Sequence, residues 1–423
     1  MLWQPPEHLH YLLPDDVAWR TQVLAIECDA EVTAIAEGEL RPWLRVLRLG
    51  HGPLQIAIVG NAHADEPAGT VAIMALAEDL ALGGPLSALG EQATFHLLPT
   101  LNPLGLLRNR DWLLSPAPAL GDYLRLARRD APDQDREFGY GDQPDQAAHP
   151  ECAAWHAYLD SLPRLDGYVS LHSMAFSGGA LFLGGFDDIG RWLPLRVKLS
   201  EDVIYRLAKP LHDEDRGGRK GFEYLAPGWW TTPTREAMNA FLANGGDDAP
   251  QLRLNSMQVA QARHRVPVAL VSELPQYCIE ALSDQAPSNL TRAEVDERCG
   301  RALAETAEEL AAICEHQAEH RLAQARGLLA NAASWGDREA NVGYALAGRL
   351  SVYRARVANE AAALQLDRER GQRPTPIRVQ RFRERVDELV RRFEPQPWTL
   401  GEQVRAQLVM VQRLVEYLVR EQA

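Results

Sequence analysis

Lysine is almost missing from this chain of 423 residues. Only Lys198, Lys209 and Lys220 accompany the arginines, and 58 acidic against 44 basic residues leave a net charge of −14. A surface of that sign does not suit a phosphate backbone, so nucleic acid is excluded as the main partner. The five cysteines (Cys28, Cys152, Cys278, Cys299 and Cys314) are scattered and form no CxxC pair. That argues against a disulfide framework and against a thiolate zinc site, and fits reduced thiols in the cytoplasm. No apolar run approaches the ~18 residues of a membrane span. The first seven residues lack the basic stretch and apolar block of a signal peptide, so a cytoplasmic protein without a membrane partner is expected. GxSxG, P-loop and GxGxxG patterns are lacking too, which removes support for serine-hydrolase and nucleotide-binding readings. No internal repeat or low-complexity tract is evident.

What is there reads as a folded protein, with 46% hydrophobic and 24% charged residues. The length suggests about two to three domains. Strands are expected at 43–49, 54–59, 94–99, 167–171, 180–183 and 266–272, several as continuous apolar runs covered on both faces. Helical patterns at 68–82 and 151–162 alternate with them. The expected fold is α/β, a mixed and mostly parallel central sheet with helices on both faces, over residues 1–290. From 291 to 423 the chain is rich in Ala, Glu, Leu and Arg, with Gly336, Gly371 and prolines as punctuation. It reads as an all-helical C-terminal domain of about four helices, with a packing or homo-oligomerisation role. His316 and His320 within it are spaced i, i+4, but a solvated helix face is the preferred reading.

Three segments bear the chemistry. The apolar run 54–59 ends in Gly60-Asn61-Ala62-His63-Ala64-Asp65-Glu66-Pro67, where a His and a Glu three apart could share one zinc ion. Taken alone, this HxxE is also what a helix-capping His and a first-turn acid would give. The second run ends in Leu171-His172-Ser173, and the third in Ser272-Glu273-Leu274-Pro275. In open α/β sheets ligands bind at the carboxyl ends of strands, where all three groups fall. His63, Glu66 and His172 would leave a coordination position for water, and Glu273 is the candidate base that takes its proton.

Over residues 40–285 the chain resembles the zinc metallocarboxypeptidases. Their HxxE loop is similar to His63–Glu66, their third zinc ligand to His172, their catalytic glutamate to Glu273, and their Asn-Pro segment to Asn102-Pro103-Leu104-Gly105. The resemblance implies one zinc ion and an arginine that stabilises the oxyanion, for which Arg110 is the first choice and Arg108 the second. It also implies an Asn-Arg pair that grips a substrate carboxylate, here matched by Asp135-Arg136. Asp135 departs from the family's Asn, and would partly neutralise Arg136. The family's substrate-covering Tyr has no counterpart between Tyr224 and Glu273, leaving Tyr224, Trp229 and Trp230 as candidates beside the 217–221 loop.

The expectation is a zinc-dependent hydrolase of an amide bond in a small peptide or cell-wall-type peptide. The alternatives are a deacylase of N-acyl amino acids, as in the aspartoacylase and succinylglutamate desuccinylase group, and a non-catalytic binding protein on the same fold.

Overall fold

The computed structural model describes residues 3–6, 9–28, 30–114, 119–130, 134–186, 192, 194–195, 198–199, 224–226, 228–231 and 254–422. The 217–221 loop and the side chains of Tyr224, His316 and His320 lie outside the described residues.

The strands are β1 (Glu31–Ala34), β2 (Arg45–Leu49), β3 (Leu54–Gly60), β4 (Ala93–Leu98), β5 (Gly167–Ser177), β6 (Leu181–Phe186), β7 (Tyr224–Ala226), β8 (Trp229–Thr231), β9 (Val268–Cys278), β10 (Pro287–Thr291), β11 (Glu339–Asn341) and β12 (Gln396–Pro397). The helices used below are α1 (Pro14–Glu27), α2 (Ala68–Leu82), α3 (Pro103–Arg108), α4 (Arg110–Leu113), α5 (Leu120–Leu126), α6 (Pro150–Ser161), α7 (Ser256–His264), α8 (Arg292–Ala311), α9 (Glu315–Trp335), α10 (Val342–Glu369), α11 (Pro376–Phe393) and α12 (Leu400–Gln422). Among the described residues, none of the helices is long and apolar enough to cross a membrane.

A ten-stranded sheet runs in the order β1-β2-β4-β3-β5-β9-β6-β8-β7, with β12 paired to β9. Its centre is parallel, through β4/β3, β3/β5 and β5/β9, and both flanks are largely antiparallel. The alternation of side chains along a strand sorts the core into two layers. Leu54, Ile56 and Ile58 of β3 are buried with Val71, Ile73 and Leu76 of α2 and with Leu408, Val411 and Leu414 of α12. Ala57 and Val59 face the other way, into a layer with Trp155 of α6 and Met257 and Val259 of α7. The mixed sheet with helices on both faces thus agrees with the sequence reading.

Two features depart from it. β5 and β9 do not stop at the expected 171 and 272, but continue to Ser177 and Cys278, past the end of β3. The last helix, moreover, packs on the sheet itself. α12 covers the central strands, and Gln407 donates a 3.2 Å hydrogen bond to the backbone carbonyl of His172. Among the described residues the whole region from 291 holds five helices where about four were expected, because α8 and α9 break at Ala312–Cys314 with no Gly or Pro to announce it. α8 opens on a capping box, in which Thr291 and Glu294 satisfy each other's backbone N–H groups at 2.8 and 3.2 Å. α8 and α9 share a small core of their own with part of α10, including Val295, Cys299, Leu303 and Val352. α10 and α11 pack instead on Phe176 and Tyr277, the overhanging ends of β5 and β9.

Candidate metal centre

The overhang of β5 and β9 creates the site. Gly60, the last residue of β3, pairs with Leu171, so His172 is the first β5 residue beyond that strand. His172 lies in register with Glu273 on β9, which puts both side chains on one face of the sheet. The chain leaving β3 must turn at once to bring His63 there. Asn61 does this in the left-handed region at φ 52°, and Thr100 Oγ1 donates to its side-chain oxygen at 2.9 Å. Two glycines bring the elements together. A Cβ on Gly60 would meet the Gly69 backbone at 2.8 Å, and one on Gly69 would meet Leu171 at 2.6 Å. The loop carbonyls are held from outside, Ala64 by Asn109 Nδ2 at 2.9 Å and Asp65 by Gln276 Nε2 at 3.0 Å.

The loop and the strand meet in a buried cluster of donor atoms. His63 Nδ1 is 2.9 Å from Glu66 Oε1, His172 Nδ1 is 2.9 Å from Glu66 Oε2, and the two Nδ1 atoms are 3.1 Å apart. Zinc–ligand bonds of ~2.0–2.1 Å give a tetrahedral edge of about 3.3 Å, so three such atoms fit around one ion with little adjustment. Behind each ring stands a carboxylate. Asp135 Oδ2 is 3.2 Å from His63 Nε2, somewhat off the N–H axis. Glu137 Oε2 is 3.2 Å from His172 Nε2, which Ser170 Oγ also approaches at 2.8 Å. A histidine whose outer nitrogen meets a carboxylate has its inner nitrogen fixed for a metal. Glu137 is itself held, since Ser256 at the start of α7 donates to Oε1 through both N (3.3 Å) and Oγ (2.7 Å).

The electrostatics also favour a cation. Burial and the Arg129 charge oppose protonation of His63, but Asp135 and Glu66 outweigh them and push its pKa up to about 10. Burial likewise opposes protonation of His172, while its bonds to Glu137 and Glu66 hold its pKa well above the usual value. Two imidazoles drawn toward the charged form show an excess of negative charge around them, which a divalent ion would neutralise. Glu273 makes no hydrogen bond among the described residues. Burial first, and then the Glu66 charge, push its pKa up to about 7.

His63, Glu66, His172 and Glu273 are thus brought together, and the arginines expected from the sequence are not. Arg110 is exposed at the first turn of α4 and makes no hydrogen bond or ion pair among the described residues. Arg136 is buried away from the donors, with its guanidinium 3.3 Å from Glu151. Asp135 does not neutralise it. That carboxylate backs His63, and its other oxygen accepts from the Glu137 N–H at 2.8 Å. Asn102 caps α3, accepting from Gly105 N at 2.9 Å, and both Asn102 and Arg108 bind Asp130. Trp229 is buried and stacked on Phe182 at 5.1 Å, which makes it core and not cover.

The arginine that reaches the cluster is Arg129, which pairs with both Glu66 and Asp65. Asn109 fixes its segment, accepting from Arg128 N at 2.8 Å and donating to the Arg128 carbonyl at 2.9 Å. Arg129 and Glu137 were overlooked in the sequence because both sit in loops without periodicity. The one usable signal was the close pair of acids in Asp135-Arg136-Glu137.

No protein-family model and no curated relative matches the sequence. Solved structures with a similar chain path include a metallopeptidase candidate from Shewanella denitrificans, 14% identical over 75% of this chain and 88% of that one at a TM-score of 0.39. A metallo-carboxypeptidase from Burkholderia cenocepacia is 12% identical over 74% of this chain and 66% of that one, at 0.36. Carboxypeptidase A from Helicoverpa armigera is 14% identical over 63% and 65%, at 0.40. Likeness at this level transfers no residue's role, and the reading of the site rests on its own distances.

Proposed function

We propose that the chain is a zinc-dependent hydrolase of an amide bond in a small peptide or peptide-like substrate. One observation carries the reading. Two imidazole Nδ1 atoms and a carboxylate converge within 3.1 Å of one another, and a carboxylate backs each ring. His63, Glu66 and His172 would hold the ion, with Asp135 and Glu137 orienting the rings. When bound, zinc supplies the Lewis acidity that makes water nucleophilic near neutral pH. Glu273, adjacent across the β5/β9 pair and free of hydrogen bonds among the described residues, takes the proton of the attacking water and passes it to the leaving nitrogen. Its pKa of about 7 without metal suits a group that must both accept and release a proton. Arg129 takes the role first expected of Arg110, offering its guanidinium to the carbonyl oxygen as charge develops there.

The deacylase reading stays beside the peptidase one, because Asn102, whose segment pointed to peptidases, serves as a helix cap. The deciding experiment assays zinc-loaded protein on acyl-amino acids and on peptides with a free C-terminus, next to Glu273→Gln. Glu273→Gln should retain zinc and lose about 10²- to 10⁴-fold in turnover. Activity on acyl-amino acids alone would select the deacylase. Protein that binds no zinc, or an unaffected Glu273→Gln, would remove the hydrolase altogether.

A further inference from the structure

Asp135 and Glu137 turn toward the two imidazoles, and Arg136 between them turns away. The carboxylates of Glu66, Asp135 and Glu137 thus converge on two buried rings and repel one another. A turn that carries two of them needs a hold from behind. Asp135 accepts from Glu137 N within the turn, and Ser256 holds the tip of Glu137. Neither contact reaches the residue in the middle.

Arg136 is gripped from α6. It is buried, its Nη2 donates to Glu151 Oε1 at 3.3 Å, and its Nη1 donates to the Gln134 carbonyl, which closes the turn. Its own carbonyl accepts from Cys152 Sγ at 3.2 Å. Glu151 and Cys152 are successive residues in the first turn of α6, so one helix end holds both the guanidinium and the backbone of Arg136. Pro150 suits the first position of that helix, and the helix's positive end favours the Glu151 carboxylate. The close approach depends on Gly139, where a Cβ would meet Cys152 Sγ at 2.7 Å and His149 Cδ2 at 2.9 Å.

As a source of stability this ion pair is poor. Arg136 Nε and Glu151 Oε2 are buried without a hydrogen bond among the described residues. A buried pair commonly gives no more stability than apolar residues of similar size. We infer that Arg136 and Glu151 are positioning residues, an ion pair that ties the 134–137 turn to α6 and so aims Asp135 at His63 and Glu137 at His172. The inference rests on the metal reading of the cluster. Both residues act through the backing carboxylates, which orient the rings for the ion.

The test uses the full-length protein. Zinc affinity is measured by competition with a chromophoric chelator, ring orientation by the absorption spectrum of the cobalt-loaded protein, and stability by urea denaturation. Arg136→Met combined with Glu151→Met replaces both charges and leaves neither buried alone. This double variant should unfold near the wild-type urea midpoint and lose zinc affinity about 10- to 100-fold, as for an outer partner of a ligand. Its cobalt spectrum should shift. Arg136→Lys keeps the charge and should retain part of the affinity. In a protein already carrying Asp135→Asn and Glu137→Gln, the same double replacement should cost little more, because residues that act through one another do not add. Wild-type zinc affinity in the double variant, or a full further loss in the Asp135→Asn, Glu137→Gln background, overturns the inference. So does an affinity that merely follows urea stability from variant to variant. Wild-type protein that binds no zinc removes the metal reading and the inference together, whereas zinc binding indifferent to the ion pair removes the inference alone.

Discussion

The metal end of the site and its loop end, the stretches around 129 and 135–137, are built differently. At the metal end, His172 and Glu273 are neighbours in a parallel strand pair, and the sheet's register fixes where they stand. His63 and Glu66 sit on a loop clamped by glycine contacts and by amide groups from Asn109 and Gln276. At the loop end, Arg129 reaches Glu66 and Asp65 from a stretch without regular structure, held by Asn109 through Arg128. The difference matters for chemistry. Metal donors and the reacting base must be held within a fraction of an ångström, whereas an arginine that offers charge to a developing oxyanion tolerates some play. Rigid strands for the first task and adaptable elements for the second are a physically sensible division.

The most severe test of that division is His172→Ala. It removes one of three donors from a clamped cluster and leaves Glu137 buried beside an empty space. Zinc affinity should fall by at least about 10³-fold, since a two-donor site loses both a bond and its geometry. Equilibrium dialysis against a zinc indicator measures this. If the variant holds zinc nearly as well as the wild type, the cluster is not the metal site, and the comparison between the two ends collapses.

The same division explains what could be read from the sequence. Strand periodicity and the apolar runs located β3, β4, β5 and β9, and their polar followers were the metal-end residues. The arginine choices relied on distance along the chain from Asn102, and that distance is not conserved in space. Arg110 follows α3 into a short exposed helix, while the chain returns through 128–130, pinned by Asn109, to bring Arg129 to Glu66. Arg136 looked like a substrate group because it stands beside Asp135. Its neighbours on either side turn toward the histidines and leave it to pair with Glu151. α12 was grouped with the C-terminal helices by composition, although Leu408, Leu414 and Leu418 face the central strands. An amphipathic stripe shows that a helix has a partner and does not say which one.

The backing carboxylates give a finer test, because they pass from one end of the design to the other. Asp135 and Glu137 come from a loop, like the arginines, yet they orient strand and loop ligands. Glu137 is anchored by Ser256, whereas Asp135 is anchored by its own turn, so their substitutions should differ. Glu137→Gln and Asp135→Asn should each weaken zinc binding, within the about 10- to 100-fold typical of such partners. Glu137→Gln should have the larger effect, because its carboxylate also ends a buried hydrogen-bond chain through Ser170. Equal and negligible losses would mean that the metal end is rigid without help from the loop.

The smallest predicted effect isolates Glu273 in the metal-free protein. Its pKa is raised from the usual 4.5 to about 7, by burial and by the Glu66 charge, so the fold prefers the protonated form. The sign follows. That preference is satisfied below pH 4.5 and is lost as the pH rises through about 7, so above that the buried carboxylate opposes folding. Glu273→Gln keeps the shape and removes the charge. Because the side chain is partly open to solvent, the full shift should not appear, and a gain of about 1–2 kcal/mol at pH 8 is expected. At pH 4 the gain should vanish, and with zinc bound at pH 8 it should shrink, since a nearby dication favours the carboxylate. Urea denaturation of both proteins, with chelator and with zinc, reads all three conditions. A stabilisation equal at pH 4 and pH 8 would trace to packing, and would place Glu273 outside the electrostatic reach of Glu66, and with it outside the metal end of the site.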